Sequence, residues 1–304
     1  MEPLPAVGSA GDGPGGDGPA DPRRLRRRAG ITTLASAAAL VVLWVLFIRT
    51  GIGQHLDDLV IRHRAGEPAS VRAANDRALR LVSNASLGAG VVALVAVGVV
   101  RRRMLLGLAA AAAVGATTLS SEALKRWVID RPGLSVGRYG IQDNSFPSGH
   151  AAISTALALA FLMVMPHRWR RVTAVGGALW VTLQATGVIS AGWHRPSDAL
   201  AGYALALGWA SFAVWALARF DRVAPSSAEV ATAERTSLWI VSTLAVAVVG
   251  LVCSVLLGGD TPYSIGGAHF VAASLVIDSA GVMVVWWYWR MLTDWALDVH
   301  PGPR

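Results

Sequence analysis

The chain has 304 residues, of which 54% are hydrophobic and 15% charged, and it carries a formal charge of +8 at pH 7. Globular chains hold about 25% charged residues, so this composition excludes an ordinary soluble domain. The positive charge does not indicate a nucleic-acid partner, because the arginines lie in clusters between apolar stretches and no basic globular segment is left to hold a duplex.

Apolar stretches recur along the chain, and each is long enough to cross about 30 Å of hydrocarbon as a helix. The sequence therefore predicts an all-α fold, a polytopic membrane bundle of about eight transmembrane helices. The predicted spans, in chain order, are 31–48, 82–100, 104–119, 151–165, 172–189, 199–218, 238–257 and 269–291.

The spans divide the chain into four segments. Residues 1–28 form a basic N-terminal tail, predicted to be disordered because its first part is rich in Gly, Pro and Asp. Residues 29–103 hold two spans and an outer loop, residues 104–219 hold four spans, and residues 220–304 hold two further spans and a short tail.

Arginine clusters set the predicted orientation. They precede the first span and join spans two to three and four to five; their members are Arg23, Arg24, Arg26, Arg27, Arg28, Arg101, Arg102, Arg103, Arg168, Arg170 and Arg171. By the positive-inside rule these loops are cytoplasmic. We therefore expect a multi-pass protein of the plasma or inner membrane with both termini in the cytoplasm. The loop 49–80 also contains arginines, which Asp57, Asp58, Glu67 and Asp76 offset.

Three polar segments then face outward, and the one before span four reads Pro147-Ser148-Gly149-His150. Pro147 suits a first helical turn and Ser145 suits a cap. The free N–H groups of that turn form an anion site that Gly149 leaves open, and His150 can donate a proton to a leaving oxygen. The alternative is a routine capped helix start with an interfacial histidine.

The segment before span six contains His194 and Asp198, four residues apart. If the helix begins near Pro196 they share a face, so the carboxylate can hold the imidazole in one tautomer and stabilise its cation. That arrangement makes a nucleophile. The alternative is a helix-capping aspartate beside an interfacial histidine.

The segment after span three contains Lys125, the only lysine of the chain, and Arg131. A compact ammonium meets one phosphate oxygen, and a guanidinium makes a bidentate contact. The alternative is two basic residues that snorkel at a helix end. Because all three segments lie on one side of the membrane at adjacent helix ends, together they indicate phosphoryl transfer.

The three segments resemble the type 2 phosphatidic acid phosphatase superfamily, the lipid phosphate phosphatases that share a helical core with vanadium haloperoxidases. Its pattern is a lysine followed by Arg-Pro, then Pro-Ser-Gly-His, then Ser-Arg followed by a histidine with an aspartate four residues on. The second part is intact at 147–150, and His194 and Asp198 match the third. The resemblance covers about 104–218, which makes 104–219 the expected catalytic core.

The resemblance implies a role for each residue. His194 would attack phosphorus to give a phospho-histidine, Asp198 would orient it, and His150 would protonate the leaving alkoxide. The phosphoryl oxygens would be held by donors that the transition state requires: Lys125, Arg131, Ser148 and the Gly149 N–H. It implies no metal and no cofactor, and the lone Cys253 leaves no thiolate metal site.

Two departures from the pattern stand out. Lys125 and Arg131 have five residues between them where the family usually has six. The arginine expected before the nucleophilic histidine falls at Val188, and its serine at Gly187. Arg195 and Arg138 are candidate replacements; the other possibility is reduced or absent activity.

The expected function is hydrolysis of a lipid phosphate monoester or diphosphate, including isoprenoid phosphates, on the non-cytoplasmic leaflet. One alternative is a phosphotransferase on the same core, and another is a catalytically impaired relative that binds lipid phosphates or scaffolds a complex. Haloperoxidase activity is not expected, because an embedded site suits a lipid. The expected partners are the substrate and membrane lipids, with no nucleic acid; the sequence leaves the oligomeric state open.

Overall fold

The computed structural model describes residues 21–63, 69–134, 144–225 and 264–298. These ranges are almost entirely helical, as the sequence predicts, with two short antiparallel strands, β1 (Val223–Pro225) and β2 (Trp295–Leu297). The helices are α1 (Pro22–Leu43), α2 (Gly51–His63), α3 (Ala69–Leu79), α4 (Asn84–Val100), α5 (Met104–Ala123), α6 (Gly149–Val164), α7 (His167–Ser190), α8 (Pro196–Arg219) and α9 (Ser264–Leu292). A π-helical turn follows α1 at Trp44–Ile48 and α5 at Leu124–Val128.

The described helices make this a multi-pass membrane protein. Five are long and apolar enough to cross a bilayer: Pro22–Ile48, Met104–Val128, His167–Ser190, Pro196–Arg219 and His269–Leu292. The apolar helices α4 and α6 are shorter. These seven correspond to seven predicted spans. The remaining prediction, 238–257 with Cys253, lies outside the described residues.

Helices α6 and α8 approach closely at the end of the bundle where both begin, called here the upper end. A Cβ added at Gly202 of α8 would lie 2.9 Å from both the Ala152 nitrogen and the Ser148 oxygen. Small residues at a membrane helix crossing permit such contact between backbones. The crossing places the first turns of α6 and α8 side by side.

Buried arginines close the opposite, lower end. Arg170 Nη1 donates to the carbonyls of Leu292 at 2.6 Å and Trp295 at 2.8 Å, and Arg101 donates to the Val164 carbonyl. The last carbonyls of a helix lack partners within it. The predicted cytoplasmic arginines therefore also tie the helix ends together.

The outer loop predicted between the first two spans contains helices α2 and α3, and α2 packs on the upper end. The side-chain amide of Gln54 in α2 binds the loop after α5. Its Nε2 donates to the Pro132 carbonyl at 2.6 Å, and its Oε1 accepts from the Leu134 N–H at 3.1 Å. The side chains of Gln54, Asp57, Asp58 and Ile61 lie on one helical face and are all buried. The face that α2 turns to the bundle is thus mainly polar.

Asp278 of α9 makes an interhelical hydrogen bond. It accepts from Thr186 Oγ1 at 2.7 Å and joins α9 to α7.

Candidate active site

His194 sits in the tight connection between α7 and α8. Gly192, with φ of 71°, ends α7 in the left-handed region that glycine tolerates, and the N–H groups of Trp193 and His194 donate to the Val188 carbonyl at 3.0 and 3.3 Å. Helix α8 then begins at Pro196. The imidazole is thereby fixed above the first turn of α8.

Asp198 stands directly behind His194. His194 Nδ1 lies 3.5 Å from Asp198 Oδ2, and the carboxylate is fully buried. The same Oδ2 accepts from Ser145 Oγ at 2.5 Å and from the Arg195 N–H at 2.9 Å. The distance to His194 is too long for a strong hydrogen bond, and Nδ1 of His194 has no hydrogen-bond partner among the described residues.

Arg131 faces the other oxygen of the same carboxylate. Its Nη1 is 3.9 Å from Asp198 Oδ1, and its side chain is 8% exposed. Neither of these two atoms has a hydrogen-bond partner among the described residues. A buried guanidinium nitrogen without a hydrogen bond is unusual, and it leaves Arg131 able to bind an anion.

The Pro-Ser-Gly-His segment begins α6 beside this pair. Ser148 caps the helix by accepting from the Ala151 N–H at 3.3 Å, and its own N–H donates to the Asp198 carbonyl at 2.9 Å. Its hydroxyl proton stays available to a ligand. The His150 ring makes an edge contact with Trp193, 5.4 Å between centroids, which places His150 next to the α7–α8 connection.

Lys125 reaches the same helix start from the π-helical turn after α5. A Cβ added at Gly149 would lie 3.7 Å from Lys125 Nζ, so the ammonium lies against the first turn of α6. Glu122 contacts Lys125 at 3.3 Å. Asn144 donates to the Lys125 carbonyl at 3.1 Å and links the two segments.

The seven residues singled out from the sequence therefore meet at the upper end. Lys125 lies on one side of the helix start, and Arg131 lies on the side of Asp198. In the described ranges, no group of three or more His, Cys, Asp or Glu side chains is arranged to hold a metal ion.

Helix α2 adds two carboxylates that the sequence did not mark as site residues. Asp58 Oδ1 accepts from Arg195 Nε at 2.9 Å, and Asp57 Oδ2 lies 3.5 Å from Arg131 Nη2. Asp57 also accepts from the N–H of Ser197 at 3.1 Å and from its hydroxyl at 2.6 Å. Burial, together with the charge of Asp198, raises the pKa of Asp57 to about 7.

Arg195, one candidate for the missing cation, is buried in this network. Its Nη1 donates to Ser145 Oγ at 3.5 Å while Asp58 holds its Nε. The Ser145 hydroxyl therefore links the guanidinium of Arg195 to the carboxylate of Asp198. The other candidate, Arg138, lies outside the described residues.

Helix α3 covers the family positions that depart from the pattern. A Cβ added at Gly187 would lie 3.0 Å from Leu79 Cδ2, and Gln184 Nε2 donates to the Ala78 carbonyl at 2.8 Å. Val188 is fully buried. A serine side chain at position 187 would press against Leu79 of α3. The glycine at this position therefore fits the packing of α3, a helix outside the PAP2 segment.

A comparison with known proteins identifies the segment that forms this site. The family model of the PAP2 superfamily matches residues 103–224. No curated protein and no solved structure matches the chain significantly. The match spans α5 to α8 and contains all seven residues predicted from the sequence. Residues 103–224 therefore form a PAP2 superfamily segment, which supports the resemblance to the type 2 phosphatidic acid phosphatases.

Proposed function

We propose that the protein is a membrane-embedded, metal-independent lipid phosphate phosphatase that works through a phospho-histidine at His194 on the non-cytoplasmic face. One observation carries the proposal: the two polar segments that contain Arg131 and His150 converge on the His194–Asp198 pair of the third at one end of the bundle. Two cations, a helix N-terminus and a second histidine surround a nucleophile whose rear nitrogen faces a carboxylate.

The geometry supports the following chemistry. Because Nδ1 of His194 faces Asp198, Nε2 is the nitrogen left to attack phosphorus. As the N–P bond forms, the bond from phosphorus to the leaving oxygen breaks, and His150 gives that oxygen a proton. Water then attacks the phospho-histidine, His150 accepts the proton from water, and phosphate leaves with His194 restored.

Positive charge on both sides of the reacting group stabilises the transition state. Lys125 and the first N–H groups of α6 face the phosphoryl oxygens from one side and Arg131 from the other. Charge in phosphoryl transfer spreads over three equatorial oxygens, so donors fixed in advance lower the barrier.

An apolar groove supports a lipid as the substrate. It has a volume of about 530 Å³, lies between α1, α5 and α8, and is lined at one end by Leu124 and Val128, which flank Lys125. An acyl or isoprenoid chain can lie in this groove while its phosphate reaches the site. A phosphotransferase would share the first half of the reaction and use an alcohol in place of water.

The catalytically impaired alternative is favoured by one observation: Val188 stands where the family has an arginine.

Against this alternative, we propose that Arg195, held by Asp58, supplies the positive charge that the family's arginine would provide. Arg195→Ala is then expected to lower kcat/KM by about two to three orders of magnitude, measured as phosphate release. The double variant Arg195→Ala/Asp58→Asn is the control, because it leaves no unpaired buried carboxylate.

Restoring the family residue tests the same point from the other side. Because Val188 is fully buried, we expect Val188→Arg to lower the melting temperature in detergent without raising activity. A faster Val188→Arg enzyme with an unaffected Arg195→Ala variant would show that the site is weakened and Arg195 is no substitute.

Placement of the site on the non-cytoplasmic face is testable by cysteine labelling in a Cys253→Ala background. Asp130 is exposed near the site and Arg168 is exposed at the lower end. An impermeant maleimide added to intact cells should label Asp130→Cys and not Arg168→Cys. The reverse pattern, or labelling of both, contradicts the orientation.

The function itself is tested with purified protein and a panel of lipid phosphates and diphosphates. We expect phosphate release from at least one of them at an unchanged rate in EDTA, because no step uses a metal. Release that EDTA abolishes points to another mechanism, and no release from any of them favours the binding or scaffold role.

A further inference from the structure

Asp57 of α2 contacts Arg131 of the phosphate site from an element outside the PAP2 segment. It is 1% exposed, and its Oδ2 shares Arg131 with Asp198. Arg131 therefore lies between two carboxylates, at 3.5 and 3.9 Å, and both contacts are long for charge-assisted hydrogen bonds.

A phosphoryl group that reaches Arg131 adds negative charge beside both carboxylates. At such separations in a buried site, like charges repel strongly. Asp198 cannot relieve this repulsion by protonation, since it must stay ionised behind His194. Asp57 is the second carboxylate on Arg131 and has no such role in the reaction.

Hydrogen bonding allows Asp57 to exist in either charge state. Its Oδ1 accepts from the Ser197 N–H, and its Oδ2 accepts from the Ser197 hydroxyl. A hydroxyl group can donate or accept, so Ser197 can turn and accept from a protonated Oδ2. Protonation thus removes the charge without leaving a buried donor unpaired.

We propose that Asp57 is a proton-linked counter-charge of the phosphate site: it is ionised against Arg131 when the site is empty and takes up a proton when a phosphate-like dianion binds. This inference rests on the proposed function, because it takes Arg131 to be a phosphoryl ligand. It assigns to α2 the control of anion affinity by pH.

The charged surroundings of Asp57 agree with this role. Among the described groups, Asp198 raises its pKa and Arg131 lowers it, burial being the largest cause of the rise to about 7. The other titratable groups on neighbouring elements are His194 and Arg195 before α8, His269 at the start of α9, and, on α2 itself, His55, Asp58 and Arg62.

Sulfate is the probe, because it is a tetrahedral dianion whose charge stays constant between pH 6 and pH 8. Binding is measured by titration calorimetry on the full-length protein in detergent, in two buffers of different ionisation enthalpy, which reports the protons taken up. With a pKa of about 7 for Asp57, the binding-competent fraction falls about tenfold from pH 6 to pH 8, and the wild-type affinity falls with it.

Asp57→Asn separates this effect from proton uptake by other groups of the site. The asparagine is neutral and keeps an acceptor for Ser197, so it should bind sulfate about tenfold more tightly than wild type at pH 8 and equally at pH 6. Wild type should take up close to one more proton than the variant at pH 8. Asp76→Asn, an exposed carboxylate on α3, should behave as wild type.

Each contrary result is distinct. Weaker binding by Asp57→Asn at both pH values would make Asp57 a positioning residue for Arg131 and overturn the proposal. Equal pH dependence in wild type and variant would overturn it as well. If wild type binds sulfate at neither pH, the phosphate site fails and the inference fails with it. If the variant does not fold, wild-type protein that takes up no proton on binding sulfate at pH 8 still overturns the proposal.

Discussion

His194→Ala is expected to abolish turnover, lowering kcat on the order of 10⁴-fold or more, as loss of a covalent nucleophile does. Among the described residues, the imidazole that faces Asp198 is that of His194, so the substitution removes the group that would accept the phosphoryl group. Phosphate release from the lipid phosphate that wild type hydrolyses is the measurement. Residual activity would come only from the donors that remain around the phosphoryl group.

The fold should survive this substitution. The backbone N–H of residue 194 donates to the Val188 carbonyl whatever the side chain is, so the α7–α8 connection keeps this hydrogen bond in the variant. Helical content and the melting temperature in detergent should stay near wild type. His167→Ala, at the lower end of α7, is the matched control and should retain full activity. A His194→Ala enzyme as active as wild type would end the phosphatase interpretation.

Asp198→Asn is expected to lower kcat by about 10³-fold or more, because an amide cannot stabilise the imidazolium and favours the wrong tautomer. The substitution also removes the negative charge 3.9 Å from Arg131 Nη1. The readout is kcat, with KM for the lipid phosphate measured alongside. The effect should fall on kcat, since the carboxylate acts through His194 and does not itself bind substrate.

Ser145→Ala is the comparison that isolates the charge of Asp198. It deletes one donor to Oδ2 and leaves the carboxylate ionised, so its loss of activity should be far smaller. Near-equal rates for Asp198→Asn and wild type would mean that Asp198 serves only as a helix cap.

The helical bundle and the convergence of the seven candidate residues at one end could be predicted, because each rests on a local pattern. Apolar stretches report membrane spans directly. His194 and Asp198 are four apart after a Gly and across a Pro, so local geometry alone puts them on one face. The three polar segments follow or precede spans, so the alternation of direction brings them to one end.

The contact of α2 with the site could not be predicted, because α2 buries a polar face, whereas helices ordinarily bury an apolar one. Asp57 and Asp58 stand in a stretch with several arginines, and charged residues in a loop between spans are ordinarily solvated. Gln54 and Ile61 share their helical face. This spacing does predict a helix, but a face that is mainly polar would be assigned to solvent. Its burial depends on Arg131 and Arg195, which lie far away in sequence.

The reason for the departures at Gly187 and Val188 was equally inaccessible. The sequence shows that the family's serine and arginine are missing. Only the packing shows that Leu79 of α3 stands against Gly187. Gly187 and helix α3 are far apart in sequence but adjacent in space, so the sequence alone does not connect them.

The most direct test of the account is to trap the phosphorylated enzyme. Wild-type protein is mixed with a lipid phosphate labelled on the phosphoryl group, quenched in alkali and digested, and the label is located by mass spectrometry. The account predicts an alkali-stable, acid-labile phospho-histidine at His194 that is absent from His194→Ala and from unmixed protein. Hydrolysis of the lipid phosphate with no label on His194, or with label on another residue, would contradict it.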